Sequence, residues 1–339
     1  MLRVGIVGLG GMGRGRLHYY AQMPDAQVVA FADVRAQELR QDRSLAALLK
    51  VPLAQVHWFE DYRDLAVSGL VDVVDICLPT DLHRDAAVAA LEGGLHALCE
   101  KPMSLTLADC DAMVSASRRT GKVLMIAQCI RFWPEYEVLA QMAQSGEAGR
   151  LLSLHLTRQG QTPRGGGGWM CQAEHSGGAI LDLHIHDIDY CQYLLGIPQR
   201  VYAQGGMSVG KDLGYDYALT NLDYGSGLQV CATAHWTSAP IPFVARYEAR
   251  LEKAFLSCDS SRTPSLLIYR EGTTQPETLS QGEHDAYYNE IRYFLDCALA
   301  GSAPKRCPPQ EARNSVALIK SAVASIERGE PVETREFVA

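Results

Sequence analysis

Val4-Gly5-Ile6-Val7-Gly8-Leu9-Gly10-Gly11-Met12-Gly13 decides how this chain is read. A short apolar run passes directly into a G-x-G-x-x-G pattern, and a helical stretch over residues 14–22 follows. In such a strand–turn–helix, Gly8 permits the tight turn, Gly10 lets a pyrophosphate approach the backbone, and Gly13 allows close helix–strand packing. The helix start offers unpaired N–H groups and a positive dipole end to phosphate. Asp33 lies 20 residues past Gly13, at the end of a second apolar run. There a carboxylate can accept the ribose hydroxyls of a dinucleotide and repel a 2′-phosphate. Gly8, Gly10, Gly11, Met12, Gly13 and Asp33 thus form a candidate cofactor site with NAD preferred. Arg35 could approach a phosphate, which keeps NADP as the alternative.

Outward from this motif, residues 1–125 alternate strand and helix patterns. Strands are expected over 3–7, 27–32, 71–78, 97–99 and 123–127, and helices over 14–22, 36–49, 84–92 and 107–120. Alternation with continuous apolar strands predicts a parallel sheet covered on both faces. Asp33, Pro79 and Glu100 each directly follow a strand, on the carboxyl edge where open α/β sheets bind ligands. After residue 126 the texture changes. A helix (134–144), a strand (151–157), the Gly-rich loop 165–168 and a long helix (178–195) precede strand-like runs at 201–204, 218–223, 227–237, 243–249, 253–257 and 265–270. Helices over 284–300 and 309–328 close the chain. The expected class is α/β: a Rossmann doubly wound parallel sheet over 1–125, then an α+β domain with a mostly antiparallel sheet over 126–339.

The chain has 339 residues, 47% hydrophobic and 21% charged, enough to bury a sizeable core and unlike a disordered chain. A net charge of −8 lacks the basic footprint of a nucleic-acid binder. No apolar run reaches the roughly 18–20 residues of a membrane span. The first strand begins almost at Met1, so no signal peptide is expected. The ten cysteines, scattered singly from Cys77 to Cys307, suit reduced, core-filling thiols, and a cytoplasmic location is expected.

Two further segments carry chemistry. Glu100-Lys101-Pro102 follows the strand at 97–99, which puts Lys101 at the ligand edge. In Gly177-Gly178-Ala179-Ile180-Leu181-Asp182-Leu183-His184-Ile185-His186-Asp187-Ile188-Asp189, helical spacing aligns Asp182, His186 and Asp189 in one stripe beside the apolar Leu181, Ile185 and Ile188. A histidine between carboxylates suits a general base, one neighbour fixing the tautomer while the imidazole takes the proton.

Together, Gly8–Gly13, Glu100-Lys101-Pro102 and the Asp182…His186…Asp189 helix resemble the glucose–fructose oxidoreductase/inositol dehydrogenase/MocA (Gfo/Idh/MocA) family, and the resemblance spans essentially the whole chain. It implies a Rossmann domain followed by an open sheet whose exposed face makes a homodimer or homotetramer. It implies that Lys101 contacts the substrate hydroxyl and the nicotinamide region, that His186 is the acid/base group with Asp182 beside it, and that Asp189 reaches substrate hydroxyls. Pro79, Thr80 and His83 match the loop on the nicotinamide side, and Glu100 belongs to the same cofactor edge. Arg131 and Tyr287 are further candidates to touch substrate. His184 departs from the pattern, since many relatives carry Gly there.

The expected activity is hydride transfer between NAD and a secondary alcohol of a sugar, cyclitol or related polyol, with no metal, membrane or nucleic-acid partner. Two alternatives compete. Asp182-Leu183-His184-Ile185-His186 imitates a DxHxH metal-hydrolase signature, which would use His184 and His186 on a strand. A dinucleotide-binding sensor without turnover is the other.

Overall fold

The computed structural model describes residues 1–49, 52–279 and 284–338. Its first part runs β1 (Leu2–Val7), α1 (Gly11–Tyr20), β2 (Ala26–Ala32), α2 (Ala36–Leu39), α3 (Arg43–Leu48), β3 (His57–Phe59), α4 (Tyr62–Val67), β4 (Val73–Ile76), α5 (His83–Glu92), β5 (His96–Glu100), α6 (Leu107–Thr120) and β6 (Leu124–Ala127). All six strands pair in parallel in the order β3-β2-β1-β4-β5-β6. Every residue of β4 and β6 is buried, as strands covered on both faces require. The order reverses between β1 and β4, so their carboxyl ends open the crevice where such sheets take ligands. The helix expected over 36–49 is interrupted: Asp42 caps a new start by accepting the Ser44 N–H at 2.8 Å, and its other oxygen pairs with Arg14 at 2.6 Å. β3 and α4 were not foreseen, being only three and six residues long.

The second part runs α7 (Pro134–Ser145), β7 (Leu151–Gln161), α8 (Ala173–Ser176), α9 (Gly178–Asp182), α10 (Ile185–Leu195), β8 (Arg200–Gly206), β9 (Tyr217–Asp223), β10 (Gln229–Thr237), β11 (Val244–Leu251), β12 (Ala254–Asp259), β13 (Leu266–Arg270), β14 (Glu277–Thr278), α11 (Ala286–Ala300), α12 (Pro309–Arg328) and β15 (Val332–Glu333). Its nine-stranded sheet has the order β14-β13-β12-β11-β7-β10-β9-β8-β15 and is antiparallel except for β7 against β10. Burial alternates along β10 and β11. Leu154, Leu156, Ala232, Tyr247 and Ala249 are buried, while His155, Arg246 and Glu248 are exposed, so one face packs and the other stays open.

The chain divides into two compact units, Met1–Gln128 with Tyr287–Arg313, and Cys129–Ala286 with Asn314–Ala339. This differs from the expected division at 125/126, which left 287–313 in the second domain. The reason is a set of ion pairs that tie this segment to the Rossmann unit: Arg292 to Asp25 at 2.5 Å, Arg313 to Asp111 at 2.9 Å, and Glu290 to Arg16 at 3.0 Å. Sequence texture shows where helices lie but not which sheet they cover.

Candidate active site

The glycine loop is shaped as the motif demands. Gly8 has φ +90°, and a Cβ there would meet Cys77 O at 2.6 Å; a Cβ on Gly13 would meet Gly8 O at 2.0 Å. At Gly10 and Gly11 an added Cβ meets nothing within 4 Å, which leaves open space before the start of α1. No side chain caps that start and no acidic residue sits in its first turn. Free N–H groups facing open space fit a dinucleotide pyrophosphate. Asp33 is buried, and its Oδ2 accepts the Leu9 N–H at 2.8 Å while Oδ1 accepts the Arg35 N–H at 2.9 Å. The carboxylate is thereby locked against the loop, with lone pairs left for ribose hydroxyls. The half-exposed Arg35 side chain leans on Asp33 itself, Nε to Oδ1 3.4 Å.

At the ends of β4 and β5 the structure separates residues that the sequence had grouped. Thr80 is buried, and its hydroxyl has no hydrogen-bond partner among the described residues, which makes it a candidate to meet the cofactor. His83, expected on the nicotinamide side, is instead buried between two backbone carbonyls, Nδ1 2.8 Å from Pro102 O and Nε2 2.9 Å from Leu78 O. It braces the two loops, and burial lowers its pKa below the ordinary histidine value. Glu100 is likewise engaged within the protein: Oε1 accepts from Arg16 Nη2 at 2.6 Å and Oε2 from the Lys101 N–H at 3.2 Å. Lys101, joined to Pro102 by a cis peptide, is thus anchored by Glu100 on one side and by His83 through Pro102 on the other, and its side chain is half-buried. Tyr287 stacks on Tyr19 (6.0 Å between ring centroids) and lies beneath the Arg16 guanidinium within the first unit.

In the second unit the expected helix over 178–195 is broken at Leu183 and His184. The N–H groups of both residues donate to Ala179 O at 2.9 Å, a widened turn of the kind that recurs at functional sites. From Gly178 to Gln192 every residue is buried except His186. Asp182 ends α9 and is buried. Asp189 does not reach outward: it is fully buried, chelated by Arg131 (Nε–Oδ2 and Nη2–Oδ1 both 2.8 Å) and by the Ser315 hydroxyl at 2.7 Å. Arg131 and Asp189, both expected at the substrate, therefore hold each other in the core. Sequence reading missed a second such pair, Arg158 of β7 with Asp187, at 2.8 and 3.2 Å. The Tyr190 hydroxyl adds a bond to Tyr136 O at 2.7 Å. Together these contacts fix α10, and with it the imidazole of His186. His184 is fully buried with Nε2 2.9 Å from Thr220 Oγ1, and burial, helped by Arg158 and His235, drives its pKa to about 3. It stays neutral and lines no opening.

A model described as "Oxidoreductase family, NAD-binding Rossmann fold" matches residues 2–128, and one for the GFO/IDH/MocA C-terminal domain matches residues 136–256. The chain belongs to the Gfo/Idh/MocA family. It is an NAD-binding Rossmann oxidoreductase. This family member is 26% identical to a myo-inositol 2-dehydrogenase of Thermotoga maritima, over 99% of this chain and 100% of that one. It is 26% identical to a scyllo-inositol 2-dehydrogenase (NAD(+)) of Bacillus subtilis, over 86% of each. Its fold matches levoglucosan dehydrogenase in complex with NADH and levoglucosan at a TM-score of 0.86, with 20% identity over 98% of this chain and 99% of that one. The metal-hydrolase alternative finds no support. His184 and His186 lie on a helical turn and not a strand, His184 bonds Thr220, and among the described residues no group of three or more His, Cys, Asp or Glu is arranged to hold a metal ion.

Proposed function

We propose that this oxidoreductase removes hydride from a secondary alcohol of a sugar, cyclitol or related polyol, with Lys101 and His186 in the two proton-handling roles and NAD preferred over NADP. One observation carries the assignment of His186: it is the single side chain left accessible in a buried fifteen-residue stretch, on a helix clamped by two buried arginine–carboxylate pairs. The full-length similarity to inositol dehydrogenases supports the substrate class. Bound NAD supplies the hydride acceptor. The neutral imidazole of His186 takes the hydroxyl proton, and the Lys101 ammonium polarises the oxygen and stabilises its developing negative charge. Asp182, buried at the end of the preceding helix, sets the tautomer of His186. Asp33 disfavours a 2′-phosphate.

The test is turnover of a polyol and aldose panel with NAD and NADP, before and after chelation. NAD-linked, chelator-resistant oxidation is expected, with kcat/KM rising with pH as the proton-accepting base becomes unprotonated. His186→Ala should lower kcat by roughly 10²–10⁴ and flatten that rise while leaving NADH affinity nearly unchanged. Asp33→Ala should narrow an NADH-over-NADPH preference of about 1–3 kcal/mol. Full turnover by His186→Ala would overturn the assignment.

The open face of the nine-stranded sheet, bearing His155, Arg246 and Glu248, supports a homo-oligomer, which sedimentation would measure. Ten cysteines, all free thiols, support a reducing, cytoplasmic setting. No helix among the described residues is long and apolar enough to cross a membrane.

A further inference from the structure

The first unit holds a buried charge cluster that the reaction as described does not use. Arg16 of α1 is 1% exposed and faces three carboxylates. Its Nη2 lies 2.6 Å from Glu100 Oε1, its Nη1 3.0 Å from Glu290 Oε2, and its Nε 3.7 Å from Asp75 Oδ2. Asp75 sits on β4, Glu100 ends β5, and Glu290 comes from α11, far along the chain. The other titratable groups facing the cluster are Tyr20 of α1, whose hydroxyl donates to Asp75 at 3.0 Å; Cys77, whose thiol lies 3.5 Å from Asp75; and Tyr287 of α11, whose ring lies 5.9 Å from the guanidinium. A guanidinium presents its donors in a rigid fork, so each carboxylate has a fixed seat.

One of those seats leads to the reaction. Glu100 uses one oxygen for Arg16 and the other for the backbone N–H of Lys101. We propose that Arg16 is a positioning residue for the dehydrogenase reaction: gripped by Glu290 of the returning helix, it holds Glu100 and thereby the backbone from which Lys101 projects. The inference rests on the assignment of Lys101 to proton handling. A buried carboxylate stripped of its counter-ion is costly and recruits another. Without Arg16, the cation nearest to Glu100 along the chain is Lys101 itself. Its ammonium would turn toward Glu100 and leave the reacting oxygen.

The experiment measures kcat, KM, the pH profile of oxidation, NADH affinity by fluorescence and melting temperature on the full-length protein. Arg16→Met should lower kcat about 10–100-fold, the usual result of displacing a reacting group by an ångström or so. The apparent pKa of the profile should move, because a displaced ammonium no longer acts on the reacting group. NADH affinity should change little. Glu290→Leu should shift the profile in the same direction, and Glu290→Gln, which retains an acceptor oxygen for Arg16, should restore most of the loss. A purely structural role predicts otherwise: fewer active molecules, with KM and the pH profile unmoved. That result, or wild-type kinetics in Arg16→Met, would overturn the proposal. If Arg16→Met does not fold, the contrast between Glu290→Leu and Glu290→Gln decides, and equal profiles for the two would overturn it. Lys101→Ala is measured in parallel. Full turnover there removes the Lys101 assignment and the proposal with it, whereas an inactive Lys101→Ala beside an unshifted Arg16→Met removes the proposal alone.

Discussion

In the first unit one buried arginine, Arg16, faces three carboxylates; in the second, two buried arginines, Arg131 and Arg158, each chelate one. The difference in stoichiometry is a difference in behaviour. A one-to-one pair is neutral as a unit and holds its geometry across the ordinary pH range. Burial works against both members of the Arg158–Asp187 pair, yet the opposed carboxylate leaves the guanidinium above its usual value, while burial outweighs the pull of Arg158 and raises Asp187. Three carboxylates around one guanidinium leave two excess negative charges if all ionise. Burial therefore pushes Glu290 up to about 8 against the pull of Arg16, with Glu100 and Asp75 adding to the rise, and Asp75 is raised too. The cluster holds a proton at neutrality, shared among coupled groups.

The largest effect that could break this comparison lies in the balanced pairs. Arg158→Met strands a buried Asp187 and should cost about 3–5 kcal/mol of stability, read as a fall in melting temperature. A drop under 1 kcal/mol would show that water reaches Asp187. The oversupplied cluster should instead reveal itself through pH. A carboxyl whose folded pKa lies above its unfolded value contributes stability that is fully present below the unfolded pKa and is lost as pH rises through the folded one. The contribution of Glu290 should accordingly be lost between about pH 4.5 and 8, and Glu290→Gln should remove that component of the pH dependence. An unchanged slope would place the shared proton elsewhere. The smallest effect sharpens the second unit. His184, with its pKa lowered to about 3, remains neutral in the fold while the unfolded chain binds a proton below about 6.5. Its contribution is present at pH 7 and declines on acidification, by about 2 kcal/mol at pH 5. His184→Leu should cost about 1 kcal/mol at pH 7 by stranding the Thr220 hydroxyl, yet resist acid better than the wild type. Parallel acid titrations of the two melting temperatures would sink the idea.

What could be read in advance follows the range of the physics. Gly8–Gly13 and Asp33 were legible because a turn, a helix start and a strand end are local and need particular residues at fixed spacing. So were the long parallel strands, whose apolar runs are continuous. The partners of charged residues were not. Arg131 meets Asp189 across 58 positions, Arg16 meets Glu100 across 84 and Glu290 across 274. Periodicity names the face on which a carboxylate lies but not the arginine that waits there; the resemblance implies that Asp189 reaches substrate, and in the structure it meets Arg131. His83 and Glu100 likewise hold partners across the chain that no local spacing reveals. The widened turn at Ala179 was equally hidden, because two N–H groups sharing one carbonyl leave no mark on the hydrophobic pattern.

The discontinuity of the first unit also bears on how the protein is made. Residues 1–128 leave the ribosome before 129–286, yet the segment that completes their unit, 287–313, is synthesised only after them. At about 5–20 residues per second, Arg16 waits roughly 14–55 s for Glu290. During that interval a guanidinium destined for burial stands exposed, while strands β7 to β14 of the second sheet emerge. Splitting the chain at 128 would make this wait permanent. A circular permutant that joins 287–313 directly to residues 1–128 would abolish it, and would let the Rossmann unit close as one continuous stretch.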